Sequence, residues 1–276
     1  MKKRADYIKE IEIKALWGRK HILWRLRPDV NVLSGINGVG KSTILNRSIS
    51  SLDVLRGGEL SQNTPFLRGV RFKFAPEDAT WIPFDVIRSF DRPLIDADVL
   101  GKLSDKRVVT EMDWQIYQLQ RRYLDYQVNI GNRIIAVLSS GDTTQIQNVA
   151  KISAPKQRFQ DIIDELFSET GKKIDRKNNE IQFTQDGEIL SPYQLSSGEK
   201  QMLVILLTTL VEDGNRVVLF MDEPEVSLHI DWQEKLIGLI RELNPNAQII
   251  LTTHSPAVIM NGWMDAVSEV TDITEK

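Results

Sequence analysis

Hydrophobic and polar positions follow two periods that exchange places along the chain. Over residues 8–15 and on to Leu16, Ile8, Ile11 and Ile13 alternate with charged Lys9, Glu10, Glu12 and Lys14, which predicts a strand over 8–15. Trp17, Gly18, Arg19 and Lys20 turn the chain, and residues 21–27 alternate again before the apolar run 30–33. A strand pair therefore leads into a third strand, and a helix-like run follows over 43–52. Beyond Gly57-Gly58 and the turn-rich stretch 61–65, residues 68–74 place Val70, Phe72 and Phe74 on one face. That stretch and 81–87 read as two more strands.

From about Ser104 the period lengthens. Trp114, Tyr117, Arg121, Leu124 and Val128 recur at spacings of three and four, the signature of an amphipathic helix. Phe159, Ile162, Ile163, Leu166 and Phe167 predict a second helix over 154–168, bounded by Pro155 and Gly171. Residues 180–184 and 188–190 flank Gln185-Asp186-Gly187 and read as a hairpin with an Asp-Gly turn. An apolar helix is predicted over 202–210. Residues 217–221 are apolar at every position, as a parallel strand buried on both faces requires. There are no internal repeats or low-complexity tracts.

Composition narrows the class. The 276 residues are 41% hydrophobic and 26% charged, with a formal net charge of −3, so no global basic field draws the chain onto nucleic acid. Without cysteine there is no disulfide, thiolate zinc site or cysteine nucleophile. Met1-Lys2-Lys3-Arg4 is basic, but Asp6, Lys9, Glu10 and Glu12 follow it, which excludes a signal-peptide apolar core. The apolar runs 202–207 and 217–221 are too short to span a bilayer. A cytoplasmic protein with no membrane partner is expected.

Chemistry enters at Gly35-Ile36-Asn37-Gly38-Val39-Gly40-Lys41-Ser42-Thr43, a G-x-x-x-x-G-K-[ST] phosphate loop between a strand and a helix. Glycines let backbone N–H groups converge on phosphate oxygens, and the helix starting at Lys41 points its positive dipole end at them. Residues 37–43 are thus the nucleotide-binding set: Asn37, Gly38, Val39, Gly40, Lys41, Ser42 and Thr43. Lys41 would reach the β- and γ-phosphates of ATP, and the Ser42 hydroxyl would coordinate Mg²⁺. The strand 217–221 ends in Asp222-Glu223. In phosphate-loop ATPases an acid there holds Mg²⁺ and the next carboxylate activates water, so Asp222 is assigned to metal and Glu223 to the base. Ser196, Ser197, Gly198 and Glu199 precede the apolar helix 202–210, and on their own would be ordinary capping chemistry.

Ser196-Ser197-Gly198-Glu199-Lys200-Gln201 also resembles the signature motif of ABC-class ATPases. Phosphate loop, signature, Asp-Glu strand and the later histidine of Leu251-Thr252-Thr253-His254-Ser255-Pro256 occur in the order of that family. Gly-x-Asn-Gly-x-Gly-Lys-Ser looks like its SMC, RecF and OLD branch. Glu223-Pro224-Glu225-Val226-Ser227-Leu228-His229 is similar to OLD-type ATPases and the AAA-family ABC-like ATPases of bacterial defence loci. The resemblance implies an α/β phosphate-loop ATPase head with a parallel-sheet core, an antiparallel N-terminal β part and a mainly helical insertion. Its parts would be 1–103, an insertion lobe over 104–177, and 178–276. It implies a head-to-tail homodimer, or a higher oligomer, in which Ser196, Ser197, Gly198 and Glu199 act in trans on ATP bound to the opposite subunit. Glu223, His254 and Lys41 would be catalytic, with His254 bonding the γ-phosphate or the lytic water.

Departures from the pattern are specific. His229 stands where transporter ATPases carry the D-loop Asp, and no glutamine lies between Gln62 and Gln115 to serve the Q-loop. Trp17, His21 and Trp24 are alternatives for stacking on adenine. In the insertion, Lys106-Arg107 and Arg121-Arg122 lie beside Trp114, Tyr117, Tyr123 and Tyr126. That composition fits nucleic acid, a protein partner or plain packing. The leading reading is an ATP-hydrolysing subunit of a DNA-maintenance or phage-defence complex, with a separate effector or nuclease protein. The alternatives are the nucleotide-binding subunit of an ABC transporter, or a slowly hydrolysing ATP-gated scaffold.

Overall fold

The computed structural model describes residues 3–57, 68–89, 107–140 and 146–275. The loop expected at 61–65 and the basic residue Lys106 lie outside them. The described residues pack as two units, each taken by itself.

The first unit draws on Met1–Ser89, Gly214–Arg241 and Pro245–Lys276. Strands β1 (Tyr7–Leu16) and β2 (Lys20–Arg25) form the predicted antiparallel pair. With β4 (Val70–Ala75) and β12 (Thr274–Glu275) they make a sheet in the order β12-β2-β1-β4. A second sheet is parallel, in the order β11-β3-β10-β9-β5. Its strands are β3 (Val30–Ser34), β5 (Phe84–Arg88), β9 (Val218–Asp222), β10 (Gln248–Thr252) and β11 (Val267–Glu269). Strand β9 is interior, as its uniform hydrophobicity demands: Val218, Leu219, Phe220 and Met221 are all fully buried. At about 1.5–3 kcal/mol for each large apolar side chain, that strand anchors the sheet. Strand β5 begins three residues later than the pattern predicts. Pro83 has no N–H to give the ladder, and its carbonyl instead accepts from Val218 N at 3.0 Å.

Helix α1 (Lys41–Gly57) packs against both sheets. Ile44, Leu45 and Leu52 join Ile8, Ile11, Ile13, Leu33, Phe220 and Ile250 in one core. Because β3, β10 and β9 are adjacent and parallel, the loops that follow them leave the sheet on one edge. That edge, outside the carboxyl ends of parallel strands, is where α/β proteins place their ligands.

The second unit draws on Phe90–Asp213 and Glu242–Asn244. It holds α2 (Glu111–Ser139), α3 (Ile146–Leu166), a small sheet of β6 (Lys173–Ile174), β7 (Phe183–Gln185) and β8 (Glu188–Leu190), and α4 (Ser197–Val211). The Asp-Gly turn joins β7 to β8 as predicted, with φ of 52° at Asp186 and 86° at Gly187, the left-handed pair a two-residue hairpin needs. Helix α4 is buried from Glu199 through Leu210, packing on α2 and α3, as expected of a helix apolar on all sides.

Two expectations are corrected here. Pro155 does not start α3; the helix begins at Ile146 and carries Pro155 inside it. An interior proline costs about 3 kcal/mol, and buried Phe159, Ile162, Ile163 and Leu166 on the same helix offset that cost. Helix α2 exists, but its buried stripe is Met112, Ile116, Leu119, Tyr123, Tyr126 and Ile130, not the stripe that contains Trp114 and Val128. Val128 is exposed. Trp114 and Tyr117 stack with centroids 5.5 Å apart, and the Arg121 guanidinium lies over Tyr117. Both stripes have helical spacing, and the one richer in aliphatic residues goes inward.

Candidate functional site: a phosphate loop facing an Asp-Glu strand end

The loop between β3 and α1 is built for close backbone approach. Gly38 and Gly40 sit at φ of 77° and 115°, left-handed values that an L side chain rarely adopts. A Cβ on Gly40 would also lie 2.8 Å from the ring of Trp17. Lys41 is 4% exposed. Its ammonium donates back to Gly35 O at 3.0 Å and lies 2.6 Å from His254 Nε2. The loop is therefore closed around its own cation, with Asn37 and Gly38 on the outside.

Across the sheet edge, the Ser42 hydroxyl donates to Asp222 Oδ1 at 2.9 Å, and the Thr252 hydroxyl reaches the same oxygen at 2.5 Å. The next residue, Glu223, has φ of 47°. That conformation costs a non-glycine residue about 1–2 kcal/mol, and it persists because Glu223 N–H is held by both the carbonyl and the hydroxyl of Thr252, each at 3.1 Å. The bend turns the Glu223 carboxylate toward His254, with Oε1 3.2 Å from Nε2. One ring nitrogen thus faces both Lys41 and Glu223. When it accepts from the ammonium it carries no proton to give the carboxylate, so His254 serves one of them at a time.

Among the described residues, no group of three or more His, Cys, Asp or Glu could hold a metal ion. The Ser42 hydroxyl and Asp222 carboxylate are hard oxygen donors and too few to form a cage. That set fits Mg²⁺, which keeps several waters and takes phosphate oxygens alongside one or two protein ligands.

The sequence left three aromatic or imidazole side chains open for adenine, and the structure separates them. Trp24 is 1% exposed and belongs to the core. His21 is bracketed by Glu12 at 3.0 Å and Glu275 at 2.8 Å. Trp17 is 48% exposed, lies against Gly40 and carries Lys20 over its ring. His229 is exposed, 3.7 Å from Asp231. The segment in which a Q-loop residue would follow β5 lies outside the described residues.

The residues that resemble the signature motif occupy the start of α4 in the second unit. Ser196 is the N-cap: its hydroxyl accepts from Glu199 N–H, while the Glu199 carboxylate takes the Ser196 N–H and hydroxyl, both at 2.9 Å. Ser197 is exposed and Gly198 half-buried, with the helix N–H groups behind them. Burial pushes the Glu199 carboxyl up, but hydrogen bonds from Lys172, Ser196 and Thr170 outweigh it and hold the group below its ordinary value. A depressed carboxyl stabilises the fold above the ordinary carboxylate pKa, and that stabilisation is lost as pH falls through the folded-state value. Glu199→Gln is therefore expected to lower stability at pH 7 by about 1–2 kcal/mol, with the gap to the parent closing on acidification. Thermal melts at pH 7 and pH 4 check this. Lys200 makes a buried ion pair with Asp113 at 2.8 Å, a contact that nothing in the local sequence announces.

A family model described as "AAA domain, putative AbiEii toxin, Type IV TA system" matches residues 71–261, well over half of the chain. The match begins after the phosphate loop, so that loop is an observation separate from it. Septu protein PtuA of Bacillus thuringiensis is 25% identical over 301 residues, taking in 91% of this chain and 72% of that protein. The probable ATPase of retron Ec83 of Escherichia coli is 35% identical over 98 residues, or 31% of this chain, and the chain spans only 18% of that relative's length. In fold, the chain is similar to the crystal structure of an SMC head bound to the C-winged helix domain of ScpA. The TM-score is 0.51 at 16% identity, covering 92% of this chain and 91% of that one. The SMC-head-like α/β fold expected from the sequence is borne out.

Proposed function

Because the chain belongs to that AAA-domain family of phosphate-loop ATPases, we propose that it binds and hydrolyses ATP at the edge where β3, β9 and β10 end. The observation that carries this reading is the convergence of Lys41, Ser42, Asp222, Glu223 and His254 from three separate stretches of sequence. Lys41, now turned onto its own loop carbonyls and His254, would exchange those partners for the β- and γ-phosphate oxygens. That exchange frees His254 Nε2 for the γ-phosphate or the attacking water. Glu223 takes the proton of the water, and its bent backbone aims it there. Ser42 and Asp222 would hold Mg²⁺, which when bound neutralises phosphate charge. Trp17, exposed beside Gly40, would be the side chain that stacks on adenine.

The ATP is sandwiched between two copies, each adding the N-terminus of α4 to the nucleotide of the other. Ser196 and Glu199 hold that N-terminus, while Ser197 and Gly198 present it to the γ-phosphate. The PtuA and retron relatives support a role as the ATPase subunit of a DNA-maintenance or phage-defence assembly with a separate effector. Among the described residues, no helix is long and apolar enough to cross a membrane.

Ser197→Arg tests the shared site. Nucleotide binding should stay within about twofold of the parent, while hydrolysis drops by about 100-fold or more, as when a donor to transition-state charge is lost. Steady-state phosphate release and calorimetric titration read the two effects. Hydrolysis at the parent rate would refute a site completed by α4.

A further inference from the structure

We infer that Glu225, two residues beyond the candidate base, is a positioning residue that sets where the His254 imidazole stands. The inference rests on the ATPase reading above and names a residue which that reading leaves without a part.

Glu225 is 6% exposed. A carboxylate so buried is ordinarily paired with a cation, because an unpaired buried charge is costly. Here Oε1 gathers neutral donors from one short loop: the Thr253 hydroxyl, His254 N–H at 3.1 Å and Ser255 N–H at 3.3 Å. Oε2 is buried with no hydrogen-bond partner among the described residues. An unsatisfied buried oxygen is unfavourable, so fold stability alone does not account for a glutamate at this place. The three bonds have one common effect, which is to fix the backbone that carries His254.

The surrounding bonds point the same way. Gln233 donates to Leu228 O at 2.9 Å and accepts from the Ser255 hydroxyl at 2.6 Å, tying the loop after β9 to the loop after β10. Glu223 and Glu225 leave the same strand end with only Pro224 between them, and proline fixes its own φ. The candidate base and the latch on the candidate histidine are therefore positioned together. From that same strand end the Glu223 carboxylate stands 3.2 Å from the His254 ring. A shift of about 1 Å in such a group can cost about 100-fold in rate.

Glu225→Ala should lower kcat for ATP hydrolysis by about 10- to 100-fold, with KM for ATP within twofold of the parent. Glu225→Gln keeps an acceptor in the same place and should recover most of the loss. In a His254→Ala background, Glu225→Ala should change kcat by less than twofold, because its effect passes through the imidazole. Ring ¹H–¹⁵N spectra supply a readout that needs no turnover. The chain has three histidines; the His254 signals should move in Glu225→Ala and return in Glu225→Gln, while His21 and His229 stay put. Unmoved His254 signals, or losses that multiply in the double variant, would overturn the inference. A parent protein that fails to bind ATP would instead overturn the nucleotide reading and leave the spectral test of Glu225 standing.

Discussion

Glu223→Gln should convert the protein into an ATP-locked pair. Glutamine keeps the size of the side chain and its place on the bent backbone, since the backbone of residue 223 is held by its own N–H, which donates to the carbonyl and the hydroxyl of Thr252. What is lost is the capacity to take a proton from water. Removing a general base costs about 10²–10⁴-fold in rate. Binding should persist, because Lys41, Ser42 and Asp222 are untouched. If ATP joins two copies and hydrolysis separates them, stalling hydrolysis accumulates the joined state. Light scattering on this variant should then give about twice the chain mass of 31.6 kDa with ATP, and that mass without it. A single mass under both conditions would contradict the shared site.

Lys41→Ala should remove nucleotide binding itself. The ammonium is buried in the loop and held by carbonyls, so it is already placed to meet phosphate oxygens. Hydrogen bonds to a charged partner contribute about 1.5–3 kcal/mol each. Two of them correspond to about 10²–10⁴-fold in affinity. The fold should survive, since the β3 and α1 residues around the loop belong to a core that does not include the ammonium. Calorimetric titration with ATP and Mg²⁺ reads the effect, and an unchanged affinity would overturn the phosphate-loop assignment.

The parts of this site that the sequence announces are those whose chemistry is local. A phosphate loop must keep its glycines, lysine and serine contiguous, and a buried parallel strand must be apolar at each position, so both are visible without coordinates. The Asp-Gly turn is legible for the same reason, since two adjacent left-handed residues favour one dipeptide. What stayed hidden depends on contacts between distant stretches. Trp17, His21 and Trp24 look alike in a strand pair, and only packing sends Trp24 inward, pins His21 between carboxylates and leaves Trp17 against Gly40. Helix α2 offers two stripes of equal period, and burial is decided by α4, more than fifty residues further along the chain. Glu225 reads as one more acid after a strand until the loop after β10 closes over it.

The reading as a whole stands on ATP held between two copies of the chain. A crystal structure of Glu223→Gln grown with ATP and Mg²⁺ tests it most directly. The account predicts two copies related head to tail, each γ-phosphate lying between Lys41 of one copy and Ser197 of the other. A nucleotide whose γ-phosphate is fully enclosed by residues of a single copy, with Ser197 left in solvent, would contradict it.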